Sequence, residues 1–274
     1  MDFFTLLKAF INSVADIFPL SGAAQIKLLD MIYFSFDGGA AEHLLAAFCD
    51  FGGFASIIYF YRNKIFTLVK ALPESLKKLI GREDKSDREE RRELLLLAVA
   101  GIPILTAPLF KKIFASISAG STAFIIALII SGLLLYFACR SKEGKSNALN
   151  ITIPDALITG VFRLLGFIPG ISGTGGALFS CFLGGFAADF TAEFTFLTGA
   201  FVFAGKGIYN ALKINSGVNF IMIFAGIVLA AAVFFTGVKA LGIMCGLIRK
   251  RKLKIFSAIL WIEAVVMIIL SLRG

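Results

Sequence analysis

The chain has 274 residues, 58% of them hydrophobic, a mean hydropathy of +0.88 and a net charge of +9. This composition excludes an ordinary soluble domain, and several apolar runs reach the ~20 residues that a helix needs to cross a bilayer. The Lys and Arg residues sit mostly in short segments between apolar runs, which argues against a nucleic-acid surface and for a membrane orientation signal.

His43 is the single histidine, so a mechanism needing a histidine pair and a His-rich metal site are both excluded. Cys49, Cys139, Cys181 and Cys245 are scattered through apolar segments without metal-ligand spacing and read as small buried hydrophobes. The N-terminal apolar segment lacks a basic start and a small-residue cleavage site, so no cleavable signal peptide is expected.

In chain order, residues 3–18 predict a short apolar helix carrying Asn12 and Asp16. A break at Pro19-Leu20-Ser21-Gly22 follows, then a second short helix over 23–35. Each half is too short to cross comfortably, so the pair reads as a re-entrant hairpin. Residues 40–61 predict a full span containing Asp50. The segment 62–93 is highly charged, with Arg62, Lys64, Lys70, Arg88, Arg91 and Arg92 among its cations, and reads as an amphipathic surface helix followed by a solvated loop. A span over 94–110 should kink at Pro103 and Pro108, and another covers 120–139. Short helices over 155–168 and 174–187 flank a second break. Spans over 191–211, 217–237 and 254–272 complete the chain, with an amphipathic stretch and Arg249-Lys250-Arg251-Lys252 between the last two.

The fold class expected is therefore an all-α polytopic membrane protein with six full transmembrane helices and two re-entrant helical hairpins. With both hairpins entering and leaving on one side, loops 62–93, 140–153 and 238–253 share a face that holds most of the loop Lys and Arg. By the positive-inside rule that face is cytoplasmic and both termini lie outside. Each hairpin is then followed by three spans. Residues 1–140 and 141–274 become inverted-topology repeats of one integral membrane domain, with broken helices near the midplane.

The second break, Pro169-Gly170-Ile171-Ser172-Gly173-Thr174-Gly175-Gly176, is the centre of this pattern. Irregular backbone survives at membrane depth only when buried in protein or lining a wet cavity. A helix beginning near Thr174 would aim free N–H groups and its positive dipole end into that cavity, which suits an anion such as phosphate. Ser21, Ser172 and Thr174 can each cap a half-helix, and at a phosphate site capping and ligand binding occur in the same place. Asp16 lies one turn from Asn12 on the same helix face, beside the first break, where a cavity role outweighs a structural cap. Lys206 lies within an apolar span, where a charge is costly and usually functional. Asp50 and Glu193 read as packing or interfacial hydrogen-bonding residues. The Phe-rich stretches, such as Phe234-Phe235, read as lipid-facing or core.

Set side by side, Asn12-x-x-x-Asp16-x-x-Pro19-x-Ser21 and Gly160-x-x-Arg163-x-x-x-x-x-Pro169-Gly170-x-Ser172-Gly173-Thr174-Gly175 resemble the undecaprenyl-diphosphate phosphatase family, also called bacitracin-resistance proteins. That family carries Glu-x-x-x-Glu running into Pro-x-Ser-Ser-x-Gly-His, and later Pro-Gly-x-Ser-Arg-Ser-Gly. Ala192-Glu193-Phe194-Thr195-Phe196-Leu197 and Gly101-Ile102-Pro103 add to the similarity, which covers essentially the whole chain. The resemblance implies an inner-membrane hydrolase of the cell-wall lipid carrier cycle, acting on undecaprenyl diphosphate, and leaves room for a homodimer. It also implies Mg²⁺ or Ca²⁺ at Asp16. It assigns catalytic roles to Asp16, Ser21, Ser172 and Thr174, and substrate binding to Asn12, Gln25, Gly170, Gly173 and Gly175.

The charged positions depart from the family pattern. Asn12 replaces the first Glu, Asp16 the second, Gln25 the His and Gly173 the Arg. One carboxylate then stands where two stood, which weakens a metal site, and Gln25 cannot shuttle a proton. Gly173 has no side chain to reach a phosphate, and Arg163 is expected to supply that interaction in its place, together with Lys206. The alternative is that Arg163 snorkels or pairs with Asp155 or Glu193. A relative that binds or translocates a polyprenyl phosphate without hydrolysing it is the competing function, and a transporter for a soluble anion the third.

Overall fold

In the computed structural model, residues 3–33, 39–78, 88–117, 120–141, 144–214 and 217–272 are described. Residues 79–87 of the expected charged loop lie outside them. The described residues form twelve helices: α1 (Phe3–Ile17), α2 (Gly22–Tyr33), α3 (Gly39–Phe60), α4 (Arg62–Lys78), α5 (Arg88–Leu105), α6 (Ala107–Ile117), α7 (Ser121–Arg140), α8 (Ile153–Leu165), α9 (Gly173–Leu183), α10 (Ala188–Leu212), α11 (Phe220–Arg249) and α12 (Lys254–Ser271).

Local chemistry explains the boundaries that matter. Thr152 and Asp155 form a reciprocal capping box at the start of α8, with Pro154 in its first turn, where a missing N–H costs nothing. The predicted kink over 94–110 falls at Thr106, a single turn residue between α5 and α6. Pro103 sits in the last turn of α5, the Thr106 hydroxyl donates to the Pro103 carbonyl at 2.6 Å, and Pro108 lies in the first turn of α6.

Among the described residues, five helical segments are long and apolar enough to cross a membrane: Ala41–Phe60, Arg88–Phe110, Ser121–Arg140, Phe220–Arg249 and Lys254–Ser271. The protein is thus a multi-pass, all-helical membrane protein. The segment expected as a span over 191–211 is α10, which has the length but is not among these five and carries Thr191, Glu193, Thr195, Thr198 and Lys206. It is the buried axis of the molecule: Thr191, Thr195 and Thr198 are shielded with Phe194 and Phe196, and α3, α5, α9 and α11 pack around it. The span over 217–237 runs on as one 30-residue helix, α11. Gly237, Ala240, Leu241, Met244 and Ile248 keep a buried face at helical spacing, so nothing stops the helix before Arg249. On its other side Phe220, Ile221, Phe224 and Phe235 are exposed, as a lipid-facing surface requires.

Close backbone approach ties α11 to α3. A Cβ at Gly52 would lie 2.5 Å from the Ala230 carbonyl oxygen, and one at Gly237 would lie 2.5 Å from Ser56 Oγ. Without a hydrophobic drive between helices in lipid, such close packing is what holds them together.

At one end of the molecule charged residues knit the helices. Lys64 bridges Glu93 (2.7 Å) and Glu193 (2.8 Å), linking α4, α5 and α10. Burial works against the Lys64 ammonium, but the two carboxylates outweigh it and hold its pKa above the ordinary lysine value. Arg249 pairs with Asp189, and Arg251 donates to the Ser141 carbonyl, so the ends of α7 and α11 meet the start of α10.

A methyl group where α3 meets α11 should be costly. Gly52→Ala is expected to destabilise the protein by about 1–3 kcal/mol through overpacking against fixed backbone. Gly246→Ala, where a Cβ meets nothing within 4 Å, should leave it unchanged. Thermal unfolding of both variants in one detergent checks this.

Candidate functional site at the meeting of two helix breaks

The two breaks touch. The Thr174 hydroxyl, at the start of α9, donates to the Asp16 carbonyl, at the end of α1, at 2.6 Å. Between them lies a cavity of about 280 Å³ lined by residues of both breaks and of α10. Each break positions its groups by satisfying helix ends. The Asp16 carboxylate accepts from the Gly22 N–H (3.4 Å), and a Cβ at Gly22 would collide with Asn12 Oδ1 at 2.3 Å, so only glycine lets α2 start here. The Ser172 hydroxyl accepts from the Gly175 N–H at 3.0 Å, while the Ser172 N–H donates to Ser131 Oγ at 2.9 Å.

Two cations serve the cavity. Lys206 of α10 meets Asp16 Oδ2 at 2.5 Å, each side chain being about one quarter exposed (24% and 25%). Arg163 of α8 is 4% exposed, and its Nη1 has no hydrogen-bond partner among the described residues. It reaches the wall through space that Gly199 leaves open, since a Cβ there would fall 2.2 Å from Arg163 Nη2. A Cβ at Gly173 would fall 4.0 Å from Arg163 Cδ, so the Arg163 stem runs alongside position 173 at ordinary contact distance. Neither expected acidic partner is engaged with it: Asp155 caps α8 with Thr152, and Glu193 holds Lys64.

The other expected site residues divide. Asn12, Asp16, Ser21, Arg163, Gly173 and Thr174 line the cavity. Gly170 does not; it turns the chain at φ +100° with its Cα toward Ala127 and Phe124. Ser172 and Gly175 are buried behind the wall as the cap of α9. Gln25 donates to Glu263 Oε1 of α12 at 2.6 Å and lies outside the lining.

The smaller cavity meets a larger one of about 820 Å³, the two sharing Asn12, Ile26, Phe167 and Lys206. One wall is apolar, with Ile104, Leu105, Pro108 and Phe201. Its polar side holds a chain of hydrogen bonds not anticipated from sequence. Buried Asp50 accepts from Ser13 Oγ (3.2 Å) and from Asn210 Nδ2 (2.9 Å), and Asn210 Oδ1 meets His43 Nδ1 at 3.1 Å. One signal was available: Asn210 follows Lys206 by four residues and so shares its helix face.

A divalent ion at Asp16 does not fit these residues. One carboxylate oxygen is taken by the Lys206 ammonium and the other faces the Gly22 N–H, while Asn12 brings no charge. Among the described residues no group of three His, Cys, Asp or Glu is placed to hold a metal. Mg²⁺ and Ca²⁺ need about six or more oxygen ligands with net negative charge, and here a cation of the protein itself already balances the carboxylate.

Comparison with known proteins agrees with the resemblance in the motifs. The undecaprenyl-diphosphatase of Alkaliphilus metalliredigens is 27% identical over 279 residues, covering 98% of this chain and 98% of that protein. That of Carboxydothermus hydrogenoformans is 26% identical, with 99% and 98% covered. Undecaprenyl-diphosphatase 2 of Shewanella oneidensis is 23% identical, with 94% and 95% covered. The family model described as bacitracin resistance protein BacA matches residues 5–266, and the chain belongs to that family.

Proposed function

We propose that the protein hydrolyses undecaprenyl diphosphate to undecaprenyl phosphate and inorganic phosphate in the cavity between the two breaks. The observation that carries this reading is the Arg163 guanidinium, shielded from water, unpaired at Nη1 and set on the cavity wall. An unpaired charge in such a place is strongly unfavourable unless a ligand of opposite sign arrives. Arg163 and Lys206 together supply the positive charge that a departing phosphoryl group needs. Ser21, on the same wall, can donate a hydrogen bond to the phosphate, and Asp16 holds Lys206 in place. Thr174 and Ser172 act by fixing the breaks rather than by touching the lipid.

In the bilayer, α1–α2 and α8–α9 are re-entrant hairpins, and α10 completes six spans. The packing pattern supports inverted repeats over 1–140 and 141–274. If α1–α2, α3, α5 and α7 correspond to α8–α9, α10, α11 and α12, several packings have counterparts. The packing of α1 on α11 mirrors that of α8 on α5, and α2 on α12 mirrors α9 on α7. The knitted basic face is cytoplasmic and both termini lie outside. Gln25, turned away to Glu263, and the missing side chain at Gly173 favour the competing reading of a non-hydrolysing lipid binder.

Phosphate release from a prenyl diphosphate by the purified protein separates the two. Release that Asp16→Ala abolishes supports hydrolysis; none above the blank supports the binder. Arg163→Gln removes a charge-assisted hydrogen bond of about 1.5–3 kcal/mol, so labelled prenyl diphosphate should bind about ten- to a hundredfold more weakly. Unchanged affinity would remove Arg163 from the site. Because Lys206 stands where a metal would be held, both binding and release should persist in excess EDTA, and a requirement for added Mg²⁺ or Ca²⁺ would contradict this.

A further inference from the structure

Hydrolysis needs a group that takes a proton from the attacking water, and the smaller cavity offers none that is free. Asp16 is committed to Lys206, and Gln25 is turned to Glu263. The larger cavity does offer one. Asn210 Nδ2 donates to the buried Asp50 carboxylate, which fixes the orientation of the amide and leaves Asn210 Oδ1 facing His43 Nδ1. A carbonyl oxygen only accepts, so Nδ1 must carry the proton and Nε2 must hold the lone pair. The tautomer of the one histidine is thereby set through two hydrogen bonds by a carboxylate that is 0% exposed. Asn210 and Lys206 are one turn apart on α10, which places them ~5–6 Å apart at Cβ. His43 and Lys206 both line the larger cavity, and Lys206 also lines the smaller one.

Resting on the phosphatase reading, we propose that His43 is the proton-transfer residue of the reaction, with Asn210 and Asp50 as its positioning residues. Water attacks the terminal phosphorus and gives a proton to His43 Nε2. The bond from that phosphorus to the bridging oxygen breaks, its electron pair leaving on the lipid monophosphate. The lipid monophosphate leaves as an anion beside Arg163 and Lys206, and the imidazolium then gives its proton to water in the larger cavity. The charged and titratable groups around His43 in the cavity are Lys8 of α1, Asp30 of α2, Glu42 of its own helix, and Lys206 and Tyr209 of α10, with Asp50 behind Asn210.

The test uses the full-length protein in detergent. His43→Gln should lower kcat for phosphate release by about 10²- to 10⁴-fold, with prenyl diphosphate affinity unchanged and the acid limb of the kcat–pH profile lost. Asn210→Leu should shift that limb and lower kcat less. Because His43 is the one histidine, diethyl pyrocarbonate reports on it in the unaltered protein, by ultraviolet absorbance. Saturating prenyl diphosphate should slow its modification. Release by His43→Gln at the unaltered rate, or modification that prenyl diphosphate does not slow, overturns the proposal alone. An unaltered protein that binds prenyl diphosphate but releases no phosphate overturns the phosphatase reading, and the proton step with it.

Discussion

A helix that ends inside an apolar protein leaves backbone N–H and C=O groups with no water to receive them. The rest of this structure depends on how the two breaks solve that problem. Neither does so alone. The end of α1 presents the Asp16 carbonyl to the Thr174 hydroxyl of the other break, and the Asp16 carboxylate serves the first N–H of α2. The start of α9 is held by its own Ser172 and by Ser131 from α7. The backbone polarity that would forbid a loop here therefore fastens two distant parts of the chain together, and the cavity is the space they leave.

Charge is arranged in the same way. The resemblance places an arginine at position 173, directly on the second break. Here glycine stands there, and a guanidinium, that of Arg163 on the preceding helix, lines the same cavity. Lys206 supplies a second positive charge from α10, and Asp16 neutralises it in the absence of substrate. The position of a cation carried on a side chain is set by helix packing.

Much of this was legible in the sequence because it is local. Pro19 and Pro169 with their glycines announce the breaks, the spacing of Asn12 and Asp16 places them on one face, and the isolated Lys206 and Arg163 flag themselves by polarity in apolar runs. What was not legible depends on partners far along the chain. Gln25 meets Glu263 across 238 positions, and Asp50 meets Asn210 across 160. No periodicity records such pairs. The extent of α11 was missed for a different reason. Its buried face continues in Gly, Ala and Met, residues whose weak hydrophobic contrast hides a helical period. The polar residues of α10 did not hide its helix, since Thr residues that bond to their own helix, as Thr198 does to the Phe194 carbonyl, cost little in a buried axis.

The opening beside Gly199 has a consequence for what α10 can carry at that point. A Cβ at 199 would fall 2.2 Å from Arg163 Nη2, so even a methyl group there obliges the tip of the guanidinium to shift. The aim of a cation on α8 is thus tuned by the smallest residue on a different helix, at a position with no side chain to make a polar contact of its own.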